Sequence, residues 1–311
     1  MEGASDRNGH NSMEFFVAQA LNGLIIGLLY ALIAIGLSLI FSVLKLVNFA
    51  HGECYMMGAF ASYYFSTLLG INPIISVFLS MVVVFLLGVA IQYLFLRPLY
   101  TGAVERKDEY AILITFGLGV FLQNLAMSVF GPWTKKSPDF LSGITRIGFL
   151  TVDNNRLVVS AVAILIMVAL LVIIGKTFVG KALRAVSQDR DASAIVGINP
   201  HRMNLLAFGI GVALAGGAGG LIGPIFLISP VMGILPGIKS FVIIVLGGMG
   251  SIKGAIIGSL LLGEIESLGS VFFLDPSRGL AYKNAFGVLL LAIVLLVKPT
   301  GLFGEKHVRM E

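Results

Sequence analysis

The chain has 311 residues, of which 57% are hydrophobic and 12% are charged, with 38 glycines and a formal net charge of +5. An average soluble domain carries roughly 25% charged residues, because its surface must be wetted. The composition therefore excludes an ordinary soluble domain and favours a protein whose outer faces contact lipid, where glycines allow helices to approach closely.

The first residues are not expected to form a targeting signal. Met1 to Ser12 is polar, without a basic n-region or a nearby small-residue cleavage site. We therefore expect a polar tail over residues 1–13, no cleaved signal peptide, and a first span that is retained as an anchor. The single cysteine, Cys54, excludes an internal disulfide and leaves the redox compartment open.

Apolar blocks follow one another along the rest of the chain, and about 20 apolar residues suffice to cross the hydrocarbon as a helix. The first block fits one tilted helix or a helix with a short companion, and the region from Gly223 to Gly250 indicates a broken or re-entrant segment. We predict an all-α, polytopic bundle of about eight spans, in a range of eight to ten, within one transmembrane domain over residues 14–304. No sheet is expected, because lipid offers no partner to free backbone groups. The blocks are 16–44, 48–69, 73–96, 110–131, 157–175, 203–228, 233–250, 252–273 and 282–297.

The charged loops orient these blocks. Basic residues dominate the stretch from Lys176 to Arg202 and recur in the C-terminal tail, residues 305–311. The positive-inside rule places both stretches in the cytoplasm. Since this rule accounts for the basic residues, they do not indicate a nucleic-acid partner. Four blocks between them give the even number of crossings that this requires. Counting back, loop 97–109 lies inside, loop 131–156 lies outside, and the N-terminus lies outside.

A short pattern occurs twice, since Ser38, Val43, Leu44 and His51-Gly52 recur without gaps as Ser240, Val245, Leu246 and Lys253-Gly254. Transporters are often built from two repeats. Chance similarity between two glycine-rich apolar stretches explains the pattern equally well.

The stretch 176–202 is the one internal cytoplasmic loop long enough for a helix of its own. Gly197 is placed to end that helix, as a C-terminal glycine commonly does. We predict one amphipathic surface helix that a partner protein binds, with a solvated connector as the alternative. The apolar residues are Leu183, Val186, Ala192, Ile195 and Val196, and the polar ones are Arg184, Gln188, Asp189, Arg190 and Asp191.

Several polar residues lie in or beside the apolar blocks, where an ionised side chain costs roughly 2.5–3.5 kcal/mol at mid-bilayer. Asn48, His51 and Glu53 fit either a helix cap at the membrane surface or a translocation pathway. Gln123 and Asn124 fit inter-helix hydrogen bonds or the same pathway. Glu264 and Glu266 fit positions near the outer interface. None of them indicates catalysis.

No cofactor site is expected. Gly175-Lys176-Thr177 resembles the end of a phosphate-binding loop, but the position that needs the first glycine is Leu170. An ATPase that drives this chain would therefore be a separate protein. The four histidines and Cys54 are scattered, which argues against a metal site.

Two classes of transport protein can be compared with this sequence. A passive channel would resemble paired Asn-Pro-Ala half-helices, whereas the Asn-Pro pairs here continue as Asn72-Pro73-Ile74 and Asn199-Pro200-His201. An ion-coupled secondary transporter usually places a pairable charge deep in a span, for which Glu264 is the candidate.

Segments in order from about Leu21 to Gly304 resemble the permeases of branched-chain amino acid ABC importers, and are closer to the first of the two Leu/Ile/Val permeases than to the sugar branch. The similar segments are Tyr30-Ala-Leu-Ile-Ala-Ile-Gly36, Val47-Asn-Phe-Ala-His-Gly-Glu53, Tyr55-Met-Met-Gly58, Phe121-Leu-Gln-Asn124, Gly180-Lys-Ala-Leu-Arg184, Val196-Gly-Ile-Asn199, Leu246-Gly-Gly-Met-Gly-Ser-Ile252 and Pro299-Thr-Gly-Leu-Phe-Gly304.

The resemblance implies a non-enzymatic permease of the inner membrane, surrounded by lipid. It would pair with a second permease as a hetero- or homodimer, with two cytoplasmic ATPase subunits and an extracytoplasmic binding protein. The cargo would be a branched-chain or other small neutral amino acid, with amides and urea left open. We hypothesise that residues 48–58 and 247–258 lie near the passage. The candidate pathway residues are Asn48, His51, Glu53, Gln123 and Asn124.

Family permeases insert a coupling helix into the ATPase. Asp191-Ala-Ser-x-x-x-Gly197 is similar to that helix's Glu-Ala-Ala-x-x-x-Gly core, with Asp for Glu and Ser193 for Ala. The resemblance thus implies an ATPase-coupling set of Arg184, Asp189, Asp191, Ala192, Ser193 and Gly197.

Overall fold

The computed structural model describes residues 2–100, 102, 104–148, 150–269 and 276–304. Helices α1–α4 precede a short hairpin, β1–β2, and helices α5–α11 follow it. The bounds are α1 (Glu2–Leu44), α2 (His51–Thr67), α3 (Pro73–Ile91), α4 (Lys107–Phe130), β1 (Ile144–Ile147), β2 (Leu150–Asp153), α5 (Asn154–Lys176), α6 (Phe178–Gln188), α7 (Arg190–Ile195), α8 (Pro200–Ile222), α9 (Ile234–Gly247), α10 (Ile252–Gly269) and α11 (Pro276–Val297).

Each predicted apolar block contains a helix, which confirms the all-α membrane bundle. Within the part of the chain that the structure describes, five helices are long and apolar enough to cross a membrane: α1 from Phe15, α3 with the turns that extend it to Tyr100, α4, α5 and α8. The bent pair α9–α10 would make six if it counts as one span. The predicted count of eight to ten stays a prediction, because the remaining blocks form shorter or bent helices.

The first block is one continuous helix. It begins at Glu2, so the polar residues predicted as a separate tail share a helix with the first span. No proline interrupts this stretch, and the backbone can continue its hydrogen-bond ladder from the polar region into the apolar region.

The chain breaks where glycine and proline concentrate. Turns follow Ile222, and α9 and α10 meet at an angle of 117° across residues 248–251. Gly248 and Gly250 have φ of +100° and +86°, a region that side chains with a Cβ rarely adopt. The break predicted between Gly223 and Gly250 thus consists of a turn before α9 and a bend after it.

The expectation of no sheet was wrong for the loop between α4 and α5. Strands β1 and β2 pair antiparallel there, with Ile144 opposite Asp153 and Ile147 opposite Leu150. The loop lies between two apolar helices, outside both, and most of its residues are exposed, so the requirement that lipid imposes on backbone groups is not expected to apply to it.

Each copy of the short repeated pattern covers the end of one helix, a break in the chain and the start of the next helix. In the first copy α1 ends at Leu44 and α2 begins at His51, and in the second α9 ends at Gly247 and α10 begins at Ile252. A shared helix–break–helix arrangement favours duplication over chance.

Helix α8 lies at the centre of the bundle, and 83% of its apolar 18-residue stretch is buried. It packs against α1, α2 and α3 through glycines. One close approach joins Gly58 of α2 to Gly216 of α8, where a Cβ on Gly58 would overlap the Gly216 backbone. Such contacts let helices gain van der Waals packing where the hydrophobic effect between helices is absent.

Several helix ends meet at one face, which we call the Lys176 face. The Tyr100 hydroxyl donates to the Leu44 carbonyl at 3.2 Å, and the Leu302 amide donates to Leu246 at 2.8 Å. Gly250, in the bend after α9, also approaches the last turns of α1, and Arg190 of the loop after Lys176 lies over the Tyr100 ring. The ends of α1, α9 and α11 and the turns after α3 therefore lie together with that loop. This arrangement agrees with an even number of crossings between that loop and the C-terminus.

Candidate functional site: a surface segment and a membrane cavity

The segment after Lys176 forms two helices, so the prediction of one amphipathic helix was wrong. Asp189 interrupts it with an extended backbone, φ −149° and ψ 115°. The Asp189 carboxylate accepts hydrogen bonds from the amides of Asp191 at 2.9 Å and Ala192 at 3.0 Å. An N-cap of this kind satisfies amides that a new helix leaves free, which stabilises a second start at this position.

The two helices divide the predicted apolar stripe. Leu183 and Val186 of α6 are buried against the bundle, while Ala192, Ile195 and Val196 are exposed on and after α7. Ile195 is 87% exposed and Val196 is 74% exposed. Helix α6 is therefore an anchor, and α7 presents an uncovered apolar tip at the Lys176 face.

Polar contacts fix this tip. The Arg184 guanidinium donates to the Ile174 carbonyl at 2.7 Å, and the buried Ser193 hydroxyl donates to the Asp189 carbonyl at 2.6 Å. Gly197 has a φ of +87°, and the amide of the next residue, Ile198, donates to the Ser193 carbonyl at 3.0 Å. This is the wide hydrogen bond of a Schellman motif, so Gly197 ends α7 as its position predicted.

The segment containing Asn48, His51 and Glu53 lies inside the bundle. A His51 ring nitrogen, Nε2, is 2.9 Å from the Ile33 carbonyl, and Ile33 precedes the end of α1 by three turns, about 16 Å. The non-helical residues 45–50 therefore return from the Lys176 face into the protein, and α2 begins there. The interpretation as a cap at the membrane surface was wrong in its location, because non-helical backbone at this depth must be covered by protein or line a cavity.

These three side chains are buried and incompletely paired. Asn48 Oδ1 accepts from the Ala50 amide at 3.1 Å and supports the turn before α2. Among the described residues, Asn48 Nδ2, His51 Nδ1 and Glu53 Oε2 have no hydrogen-bond partner. Unpaired buried polar atoms are costly and rare, which marks this turn as a site of polar contact.

Gln123 and Asn124 are not gathered at this turn. Asn124 is exposed, and its amide donates to Val120 of its own helix at 2.8 Å, while Gln123 is half-buried. Helix α4 passes the start of α2 one turn earlier, at Gly119.

A cavity of about 280 Å³ opens between α1, α2 and α9. Tyr30 lies on its wall, about 21 Å along α1 from the Lys176 face. The wall is apolar apart from the polar ends of two tyrosines and one lysine. It includes Ile26, Leu29, Tyr30, Ile33, Tyr55, Met232 and Lys239.

Lys239 forms a polar cluster at one end of this cavity. Its ammonium nitrogen lies 2.7 Å from Glu266 Oε2 and 2.7 Å from the Tyr30 hydroxyl, which is 3.2 Å from the same carboxylate oxygen. The Lys239 side chain is 14% exposed and that of Glu266 is 1% exposed. A buried ion pair thus joins α9 to α10, and hydrogen bonds of the Tyr30 hydroxyl connect α1 to it.

Sequence reasoning missed this cluster. Glu264 and Glu266 were expected only to lie near the outer interface, whereas the structure shows the Glu266 carboxylate buried beside Lys239 and the half-buried Glu264 facing Gly23 of α1. Lys239 was not singled out, although a lone basic residue within the apolar block 233–250 was the available signal.

A multi-pass helical bundle with a polar-ended internal cavity and an exposed surface segment defines a membrane transport protein. Residues 19–297 match the family model described as the branched-chain amino acid transport system / permease component. The chain belongs to this family, and it is a multi-pass membrane permease subunit.

Individual relatives agree. The chain is similar to the high-affinity branched-chain amino acid transport system permease protein BraD of Pseudomonas aeruginosa, at 35% identity over 94% of this chain and 97% of BraD. The corresponding LivH of Escherichia coli is 34% identical with the same coverage. A probable LivH of Methanocaldococcus jannaschii is 30% identical over 89% of both chains.

Proposed function

We propose that this chain is the membrane-spanning subunit of an ABC importer for branched-chain or related small neutral amino acids, powered by separate ATPase subunits. The observation that carries the proposal is the match to branched-chain amino acid permeases across nearly the whole chain. The ion-coupled carrier and the passive channel gain no support from these relatives.

The α7 tip supports a mechanical link to an ATPase. It exposes Ile195 and Val196 at the face where the positive-inside rule places the cytoplasm. An exposed apolar patch on a segment held by a cap and a Schellman motif suits a docking contact. In this proposal Arg184, Asp189, Ser193 and Gly197 shape the tip, and Asp191 and Ala192 contact the ATPase beside it.

We do not expect this chain to have an ATP-binding site of its own. The proposed assembly includes two ATPase subunits, a second permease and an extracytoplasmic binding protein. ATP binding would move α7, and the bundle would exchange between outward- and inward-facing states. A ligand shifts such an exchange only through its different affinity for the two states.

The proposed pathway runs past the buried turn before α2. Asn48, His51 and Glu53 offer it unpaired polar atoms, while Gln123 and Asn124 are placed beside it by α4. We assign the pathway to residues 48–58 on this basis, and residues 247–258 would lie at its cytoplasmic end. Residues 14–304 would form one permease domain with a coupling loop over 176–202.

Purification in mild detergent tests the proposal. We expect two ATPase chains and a second permease to co-purify with this chain, and we expect liposomes containing the assembly to accumulate leucine only with ATP and a binding protein. Accumulation of leucine by this chain alone, without ATP, would refute it.

A further inference from the structure

The cavity between α1, α2 and α9 has the chemistry of a site for a small carboxylate with an apolar body. Its wall includes the apolar side chains of Ile26, Leu29, Ile33 and Met232 together with the side chain of Lys239. Ligand pockets typically combine an apolar lining with a few placed polar groups that fix orientation. A molecule that fits this wall has one anionic group and an aliphatic remainder.

Lys239 has one donor left for such a ligand. An ammonium group carries three N–H donors. Two are used at 2.7 Å, one by Glu266 and one by the Tyr30 hydroxyl, and no third partner occurs among the described residues. Because the lysine lines the cavity, its remaining donor is available on the cavity side.

Glu266 and Tyr30 hold the lysine in place. Glu266 is 1% exposed and does not line the cavity, so its carboxylate acts on a ligand only through Lys239. The Lys239 ammonium also lies 5.0 Å from the centre of the Tyr30 ring, within the range of a cation–π contact. A flexible lysine stem is thereby restricted to one position, which reduces the entropy lost on binding.

We propose that Lys239 binds the α-carboxylate of the transported amino acid, with Glu266 and Tyr30 as positioning residues and the aliphatic wall of the cavity receiving its side chain. This inference rests on the proposed function and adds the site to it. The ligand's own ammonium group offsets the second negative charge that its carboxylate brings near Glu266. Uncharged apolar molecules would enter the cavity without using the lysine.

The test compares wild type with the double variant Lys239→Met/Glu266→Gln in the complete transporter. Removing both charges avoids an unpaired buried ion, so the double variant is expected to assemble, as judged by recovery of the full complex. Lys136→Met is the matched control, because Lys136 is an exposed lysine in the loop after α4, outside the segments assigned to the pathway and to the coupling loop. Binding to the complex without its binding protein is measured by saturation-transfer NMR with leucine, leucine amide and isocaproate.

Wild type and Lys136→Met should bind leucine and isocaproate, which have a carboxylate, and bind leucine amide far more weakly. The double variant should bind leucine roughly 10- to 100-fold more weakly, the factor expected for loss of a charge-assisted hydrogen bond. Equal binding of leucine and leucine amide by wild type, or unchanged leucine binding by the double variant, would overturn the carboxylate assignment. Lys239→Arg, which keeps the charge, should restore part of the binding.

Leucine uptake distinguishes a failure of the carboxylate site from a failure of the proposed function. If wild type accumulates leucine and the double variant does so at the same rate, the carboxylate site is wrong and the proposed function stands. If the wild-type assembly with all its subunits transports neither leucine nor any other branched-chain or small neutral amino acid, the proposed function falls and the site falls with it.

Discussion

The Arg190 guanidinium lies 4.2 Å from the centre of the Tyr100 ring, although the two residues belong to segments far apart in the sequence. Tyr100 in turn donates its hydroxyl to the Leu44 carbonyl at the end of α1. The first residue of α7 is therefore in contact with the turn that ends α3 and, through it, with α1. A displacement of α7 has a direct route into the bundle.

Replacing Arg190 with alanine is expected to weaken this route. A cation–π contact contributes about 0.5–2 kcal/mol, so the position of α7 should become less restricted while the fold is retained. We expect the amino acid transported per ATP hydrolysed to fall roughly two- to tenfold, measured in liposomes with the complete transporter.

Arg202→Ala is the control, because Arg202 is an exposed basic residue of the same segment. It should leave the transport ratio unchanged. A wild-type ratio for Arg190→Ala would show that the contact with Tyr100 does not transmit motion.

The Asp189 cap makes a second prediction. Asp189→Ala should cost about 0.5–2 kcal/mol of local stability, because the amides of Asp191 and Ala192 lose their acceptor. Asp189→Asn keeps an acceptor oxygen and serves as the matched control. Hydrogen exchange of residues 190–195 should accelerate in the alanine variant only, and equal exchange in both variants would contradict the role of the cap.

The sequence predicted the helical bundle, the position of the surface segment and Gly197 as its end, because apolar block length and turn chemistry are local properties. It did not predict the second helix start at Asp189, since an aspartate within an amphipathic pattern is also compatible with a continuous helix. The depth of His51 and the pairing of Lys239 with Glu266 depend on contacts between distant helices. Periodicity along one helix carries no information about such contacts.

Gly58 is expected to tolerate no side chain. A Cβ there would overlap the Gly216 backbone, and backbone cannot move aside as the end of a flexible side chain does. Gly58→Ala should therefore destabilise the protein by about 1–3 kcal/mol or more. Gly117→Ala is the control, because nothing lies within 4 Å of its Cβ position, and it should be neutral or slightly stabilising. Thermal unfolding in detergent ranks the two, and equal melting temperatures would contradict the close helix contact.

The ion pair of Lys239 and Glu266 predicts a non-additive effect on stability. Lys239→Met alone leaves a buried carboxylate without its partner, which typically costs about 3–5 kcal/mol. The double variant Lys239→Met/Glu266→Gln removes both charges and should recover most of that loss. A double-mutant cycle from thermal unfolding measures the coupling, and additive losses would show that the two charges do not stabilise each other.

The central claim is that an external ATPase acts on this permease through the α7 tip, and accessibility of Ile195 tests it most directly. Cys54 is the single cysteine and is buried, so a Cys54→Ala background can carry Ile195→Cys at the tip or Trp133→Cys in the loop after α4. A membrane-impermeant maleimide should label Ile195→Cys only from the cytoplasmic side and Trp133→Cys only from the opposite side, and a bifunctional reagent should join Ile195→Cys to the ATPase. Labelling of Ile195→Cys from the outer side in intact cells would contradict the account.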